Sequence, residues 1–115
     1  MSTDQLPTEQ AMREFLESLG STAEAVRDTL VGMGITNGIR WDDQKCPIAL
    51  AIRRRFPALD LPTAAVSVGL RTVRWHSARW AFEESVQMPK PVRECRHKTD
   101  NRHPDFQILI NENAT

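Results

Sequence analysis

The spacing of the apolar residues changes near residue 65, and this change constrains the fold more than any other feature of the chain. Before it, apolar residues recur every three or four positions, which is the spacing along one face of a helix. After it, over residues 65–68 and 72–75, apolar and polar residues alternate, which is the period of a half-buried strand. A block of helices followed by a block of strands predicts an α+β domain.

Two helices are predicted at the start of the chain. The first begins at residues 6–8, ends at Gly20, and has the apolar stripe Met12, Phe15, Leu16 and Leu19. The second begins at a capping box of Ser21 and Glu24, ends at Gly34, and has the stripe Ala23, Val26, Leu30 and Met33. We expect the two to pack as an antiparallel hairpin.

A third helix is predicted to open near Pro47, after a tight turn at Asn37-Gly38. Residues 48–52 are apolar all round, so this helix should lie deep in the domain until residues 53–55 bring it to the surface. Phe56-Pro57 should end it.

The second half of the chain predicts a β-hairpin over residues 65–75 and a third strand over 84–88. Residues 80–82 fit either a strand or a connection. Pro91 opens a fourth helix with Val92, Cys95 and Thr99 on one face, and Asn101 is expected as its left-handed cap. Alternation over residues 106–110 predicts a final strand or an extended arm. The order in which the strands pair stays open.

The chain of 115 residues is the size of one domain, with an ordered part over about residues 6–110 and polar, flexible ends at 1–5 and 111–115. No apolar run is long enough to span a bilayer, and the N-terminus lacks the pattern of a signal peptide. We therefore expect a cytoplasmic protein that has no membrane partner. Its two cysteines, Cys46 and Cys95, should be reduced and buried.

Three short motifs carry a resemblance to a known group of proteins. They are residues 46–49 opening the third helix, residues 66–69 in the hairpin, and residues 88–93 opening the last helix. Over residues 12–110 the chain resembles a group of small uncharacterised proteins from high-GC Gram-positive bacteria and their phages and mobile elements. The resemblance implies a small α+β domain and no known chemistry. Residues 101–103 depart from the group, which usually has a glycine and aromatic residues there.

Charge is divided unequally along the chain, although the formal net charge is zero. Residues 1–44 carry eight acidic and three basic side chains, and residues 45–102 carry twelve basic and five acidic ones. A basic surface attracts phosphate groups or an acidic partner. Two opposed surfaces can also dock two copies end to end, so the oligomeric state stays open.

The sequence favours neither a metal site nor a catalytic site. Cys95, His97 and His103, with Cys46 from a distance, offer zinc ligands, but no Cys-x-x-Cys pair is present and Cys95 and His97 should point apart on a helix. Cys46 near a helix N-terminus would be a nucleophile if its pKa were depressed, although the apolar residues after it favour burial. We expect no cofactor, no bound metal and no enzymatic activity.

Basic residues interleaved with tryptophans suggest a binding surface. We predict that the contacts come from Arg53, Arg54, Arg55, Arg71, Arg74, Arg79 and Trp80. Arginine and tryptophan are enriched at protein-binding hot spots, but they also contact phosphates and stack on bases. The zero net charge argues against a dedicated nucleic-acid binder, and the sequence has no catalytic motif, so we predict a non-enzymatic protein-binding or regulatory module. The resemblance implies a host protein as its partner. The alternative is a nucleic-acid-binding protein that uses the basic hairpin face.

Overall fold

The structure, a computed structural model, describes residues 6–60, 64–77 and 84–110. The helices are α1 (Glu9–Ser18), α2 (Ala23–Gly32), α3 (Pro47–Arg55) and α4 (Lys90–Asp100), and the strands are β1 (Ala64–Val68), β2 (Thr72–Ser77) and β3 (Glu84–Gln87). Two short 3-10 helices cover Pro57–Asp60 and Pro104–Leu109. Helices therefore precede and follow a three-stranded antiparallel sheet, which confirms the predicted α+β class.

The first two helices begin at threonine caps. Thr8 Oγ1 accepts a hydrogen bond from the Ala11 N–H, and Thr22 Oγ1 accepts one from the Ala25 N–H, each at 3.0 Å. The predicted capping box at residue 21 is therefore wrong by one position. The hydroxyl of Thr22 satisfies one of the N–H groups that have no partner within the helix, and the Glu24 carboxylate pairs with Lys98 of α4 at 3.2 Å.

The predicted apolar stripes of α1 and α2 face the core, where Met12, Leu16, Val26 and Leu30 are fully buried. The helices have different neighbours, however. The contacts of α1 are mainly with β3, and those of α2 are mainly with α4. Each helix therefore packs mainly on an element from the second half of the chain. Contacts between α1 and α2 contribute less to their positions than these long-range contacts do.

Helix α3 lies in the centre of the domain, as its apolar sequence predicts. Cys46 is its N-cap, Pro47 is its first residue, and Ile48 and Ile52 are buried. Proline is tolerated at this position because the N–H it lacks would have no helical partner.

The sheet has the order β1-β2-β3, and one of its faces belongs to the core. Val66 pairs with Trp75, and Val73 pairs with Val86, and all four side chains are buried. The Trp75 indole Nε1 donates to the Pro7 carbonyl at 3.1 Å. Trp75 is therefore a core residue whose polar atom is satisfied, and not a stacking platform for bases. Residues 80–82, for which either a strand or a connection is predicted, and both predicted flexible ends lie outside the described residues.

The segment at Gly38 is extended and is not the predicted tight turn. Its N–H donates to the Leu109 carbonyl at 3.0 Å, and Gly38 forms a parallel bridge with Ile110. A Cβ at this position would lie 2.6 Å from Pro47 Cγ, which only glycine avoids. The requirement for glycine comes from close approach of another segment, a requirement that the Asn37-Gly38 dipeptide does not reveal.

The end of the chain also differs from prediction. Asn101 has a φ of −96°, and it is Arg102 that adopts the left-handed conformation, at 62°. The alternation over residues 106–110 predicts a strand or an extended arm, but residues 104–109 form a 3-10 helix in which Phe106 and Leu109 are buried and Ile108 is 54% exposed. Burial at every third position follows the period of that helix. No helix within the described ranges is long and apolar enough to cross a membrane.

Candidate functional site

The three predicted arginines at the end of α3 contact their own surroundings. Arg54 Nη1 donates to the Met33 carbonyl, and the Arg55 guanidinium carbon lies 4.8 Å from the centroid of the Phe56 ring. Arg53 is half-buried and lines a small cleft of about 150 Å³ together with Arg54. Their charges also complement the negative end of the α3 dipole. These contacts give Arg54 and Arg55 a local structural role, whereas Arg53 Nε is buried without a hydrogen-bond partner among the residues that the structure describes.

The predicted residues of the hairpin are separated in space. Arg74 is exposed on the outer face of the sheet, where its register partners on both neighbouring strands are serines. Arg71 lies between β1 and β2 and lines a larger groove. Arg79 and Trp80 lie outside the described residues. Of the seven predicted contact residues, the structure therefore places Arg71 in this groove and Arg53 and Arg54 in a different cleft.

The groove combines exposed apolar side chains with cations. It has a volume of about 400 Å³ and is formed by α4, the β1–β2 turn and the loop that precedes α3. Trp41 is 59% exposed and Leu70 is 70% exposed, and Arg71, Lys90 and Arg93 line the same space. Large apolar side chains that are this exposed add little to the core, so their presence beside a concave surface is typical of a binding site.

The outer face of α4 supplies one wall of this groove. Lys90, Arg93 and His97 recur at positions i, i+3 and i+7, which places them on one side of the helix, and all three line the groove. Glu94 is an acidic residue on the same wall. Lys98 also lines the groove, but its Nζ is paired with Glu24 at 3.2 Å.

Trp41 has an unusual backbone conformation for a bulky residue. Its φ is 63°, in the left-handed region, and its N–H donates to Asp100 Oδ1 at 3.0 Å. This conformation costs a residue with a side chain about 1–2 kcal/mol. Because the indole is largely exposed, burial of the side chain does not offset that cost. Core packing therefore does not explain why a tryptophan occupies this position.

A buried arginine fixes the floor of the groove. Arg96 is 4% exposed, and its Nε lies 3.1 Å from Asp100 Oδ2 while its Nη2 lies 3.1 Å from Asp43 Oδ1. Its Nη1 donates to the Gly69 carbonyl at 2.8 Å and also to the Val68 carbonyl. One guanidinium thus joins α4, the β1–β2 turn and the loop before α3, which are the three elements that form the groove.

Acidic neighbours stabilise the charged form of Arg96. Burial by itself lowers the pKa of Arg96, but Cys46 and the hydrogen bonds that Arg96 donates to Asp43 and Asp100 more than offset it, so this pKa is raised above its ordinary value. With most of its donors engaged, Arg96 positions the groove, and the exposed cations Arg71, Lys90 and Arg93 are the ones available to a ligand.

The cysteines are not suited to nucleophilic chemistry. Cys46 and Cys95 are free and buried, and burial raises the pKa of both thiols, that of Cys95 to about 12. The N-terminus of α3 does not depress the pKa of Cys46, because burial outweighs the opposing effects of Arg96 and of the Ala49 and Ile48 N–H groups, and the burial predicted for both thiols is confirmed. In the part of the chain that the structure describes, no three His, Cys, Asp or Glu side chains are grouped to hold a metal ion.

Sequence reasoning missed the residues that define the groove. Trp41 and Leu70 lie in a loop and a turn, outside every periodic apolar stripe, and that isolation is the signal that would have indicated surface roles. Arg96 is one of several cations in the sequence of α4. Its spacing of four residues from Asp100 was the available sign of an ion pair, but the spacing does not indicate burial.

Comparison with protein-family models, with curated proteins and with solved structures finds no match for this chain. The resemblance to phage and mobile-element proteins therefore stays a prediction. The functional interpretation depends on the geometry of the groove.

Proposed function

We propose that this protein is a non-enzymatic binding module that docks an acidic partner protein on the groove formed by α4, the β1–β2 turn and the loop before α3. The observation that carries the proposal is the exposure of Trp41 and Leu70 in a groove bordered by Arg71, Lys90 and Arg93. An apolar centre within a charged rim is the usual anatomy of a protein interface, and tryptophan and arginine are its most frequent hot-spot residues.

The rigidity of the site supports this function. The loop carrying Trp41 is tied to Asp100 and the β1–β2 turn is tied to Arg96, so both apolar side chains project from backbone segments that are already fixed. A preformed surface loses less conformational entropy when a partner binds. The left-handed strain at Trp41 is also easier to understand at a binding site, where such conformations are concentrated.

Nucleic-acid binding is the alternative function. An exposed indole beside arginines suits base stacking with phosphate contacts. Glu94 lines the same groove, however, and would repel a continuous phosphate backbone, and the zero net charge of the chain offers no long-range attraction. A protein can place its carboxylates at the cations of the groove and away from Glu94, and such a partner fits the charges of the lining better than nucleic acid does.

Regulation of a host protein is the biological role that we propose for such docking. The support is the resemblance of residues 12–110 to phage and mobile-element proteins, which is an analogy of fold.

Affinity capture from a lysate of the source organism, with and without nuclease, tests the proposal. The wild-type chain is compared with R71E/R93E in the groove and with R13E/R102E, which makes the same change in charge at exposed residues outside the groove lining. We expect a defined protein to survive nuclease treatment with the wild type and R13E/R102E and to be lost with R71E/R93E. Capture of nucleic acid with a steep salt dependence would support the alternative. Equal capture by all three chains would show that the groove is not the docking surface.

A further inference from the structure

We infer that the bound part of the partner is a short acidic segment, with one large apolar side chain seated between Trp41 and Leu70 and carboxylates on Arg71 and Arg93. This inference rests on the proposed function, because it specifies what the same groove recognises. The proposed function names a partner protein, and the inference adds which side chains of that partner enter the groove.

The size of the groove argues for a segment and against a broad surface. At about 400 Å³ it lies within the range of roughly 300–1,000 Å³ that is typical of pockets for small ligands. Such a space accommodates one or two side chains with their backbone. Because Trp41 and Leu70 are the exposed apolar residues of the lining, the side chain seated there should be aliphatic or aromatic.

The position of the two arginines argues for carboxylates next to that anchor. Arg71 and Arg93 line the groove and also line a second cleft of about 190 Å³, shared with Gln87 and Met88. They are therefore at the boundary between the two spaces, where a chain leaving the groove would pass. A guanidinium presents a planar fork of donors that matches a carboxylate in a bidentate pair.

The carboxylates of the partner must be recognised by arginine side chains, because the N-terminus of α4 has few free N–H groups to offer. Although the boundary lies near the start of α4, Pro91 has no N–H, and the N–H groups of Val92 and Arg93 both bond to the Pro89 carbonyl at 3.0 Å. The first turn of α4 consequently offers few free donors to an anion. Because Arg71 and Arg93 are separate cations, we expect the partner to place one carboxylate at each of them.

Glu94 limits which acidic segments fit. It lies one residue from Arg93 on the same helix and lines the groove together with the cations. A carboxylate near Glu94 is repelled, whereas one placed at Arg71 and Arg93 is attracted. The groove should therefore prefer an apolar residue with carboxylates on one side of it over a uniformly acidic run.

A selection from random peptides displayed on yeast tests this inference with the full chain as bait. We expect enrichment of peptides that carry one large apolar residue with Asp or Glu a few positions away on one side. For a synthetic peptide from the selection, L70A and R71E/R93E should each weaken binding by about tenfold or more, and R13E/R102E should change it less than about threefold. Replacing the peptide carboxylates with lysine should restore binding to R71E/R93E, a reversal that general loss of folding cannot produce.

Several results would overturn the inference. Enrichment of apolar peptides without acids, or of basic peptides, would show that Arg71 and Arg93 do not select the ligand. Competition by a single-stranded oligonucleotide but not by the peptide would assign the groove to nucleic acid. Concentration-dependent dimers that R71E/R93E abolishes would make the acidic half of a second copy the occupant. If no peptide is enriched while groove-dependent capture of a protein from lysate succeeds, the proposed function stands and the acidic-segment inference fails.

Discussion

Replacing Arg96 with methionine tests how the groove is built. The change R96M keeps much of the aliphatic stem and removes the guanidinium, which holds Asp100, Asp43 and two carbonyls of the β1–β2 turn. The side chain of Asp100 is 2% exposed and that of Asp43 is 57% exposed, so the two carboxylates lose their partner in different environments.

The expected loss of stability comes mainly from Asp100. Removing one partner of a buried ion pair costs about 3–5 kcal/mol, because the other charge remains buried without compensation. The Val68 and Gly69 carbonyls lose a charged donor, at a cost of about 1 kcal/mol each if water cannot replace it. We therefore expect R96M to reduce the free energy of unfolding by about 4 kcal/mol, whereas D43N should cost less than about 1 kcal/mol.

Urea unfolding followed by circular dichroism measures these differences. With a slope of roughly 1–1.5 kcal/mol per M, R96M should lower the midpoint by about 3 M. The double variant R96M/D100N removes both charges and keeps an acceptor for the Trp41 N–H, so it should be more stable than R96M alone. A loss below about 1 kcal/mol in R96M, or a double variant less stable than R96M, would refute the argument that Arg96 compensates a buried charge.

Three further predictions concern a backbone contact, the exposed tryptophan and a thiol. Gly38→Ala should cost about 1–3 kcal/mol because its Cβ would meet Pro47 at 2.6 Å, and an unchanged thermal midpoint would contradict this. Trp41→Gly should leave stability unchanged or raise it by up to about 1 kcal/mol while weakening peptide binding, and clear destabilisation would give Trp41 a packing role. Burial raises the pKa of Cys95 from 9.0 to about 12, so the folded state retains a proton that the unfolded chain loses in this window. Wild-type stability should therefore fall with pH above 9 by about 1.4 kcal/mol per unit more steeply than that of C95A, and parallel pH curves would exclude this linkage.

The local spacing of apolar residues was sufficient to predict most of the helices and strands. The stripe that includes Met12 and Leu16, and the alternation of Val73 and Trp75, predicted both the type of structure and the buried face. These predictions succeeded because the period of the apolar residues depends only on the geometry of one helix or one strand. They were less accurate where two local solutions were nearly equivalent, as at Ser21 and Thr22, which are both good caps.

The errors at Gly38 and in residues 106–110 have a common cause. The two segments bond to each other, through the Gly38 N–H and the Leu109 carbonyl, across most of the length of the chain. A short glycine-containing or alternating stretch is compatible with several conformations, and the long-range partner selects one.

The sequence by itself determined an α+β domain, its central third helix and its division into an acidic and a basic half, because spacing and charge are properties of neighbouring residues. The tertiary structure alone decided which charges are available to a partner. Arg96 and Arg93 lie on the same helix and look alike in sequence, yet one is buried between Asp43 and Asp100 and the other is exposed in the groove. The physical reason is that a guanidinium is buried only where carboxylates and carbonyls from distant segments converge to compensate its desolvation.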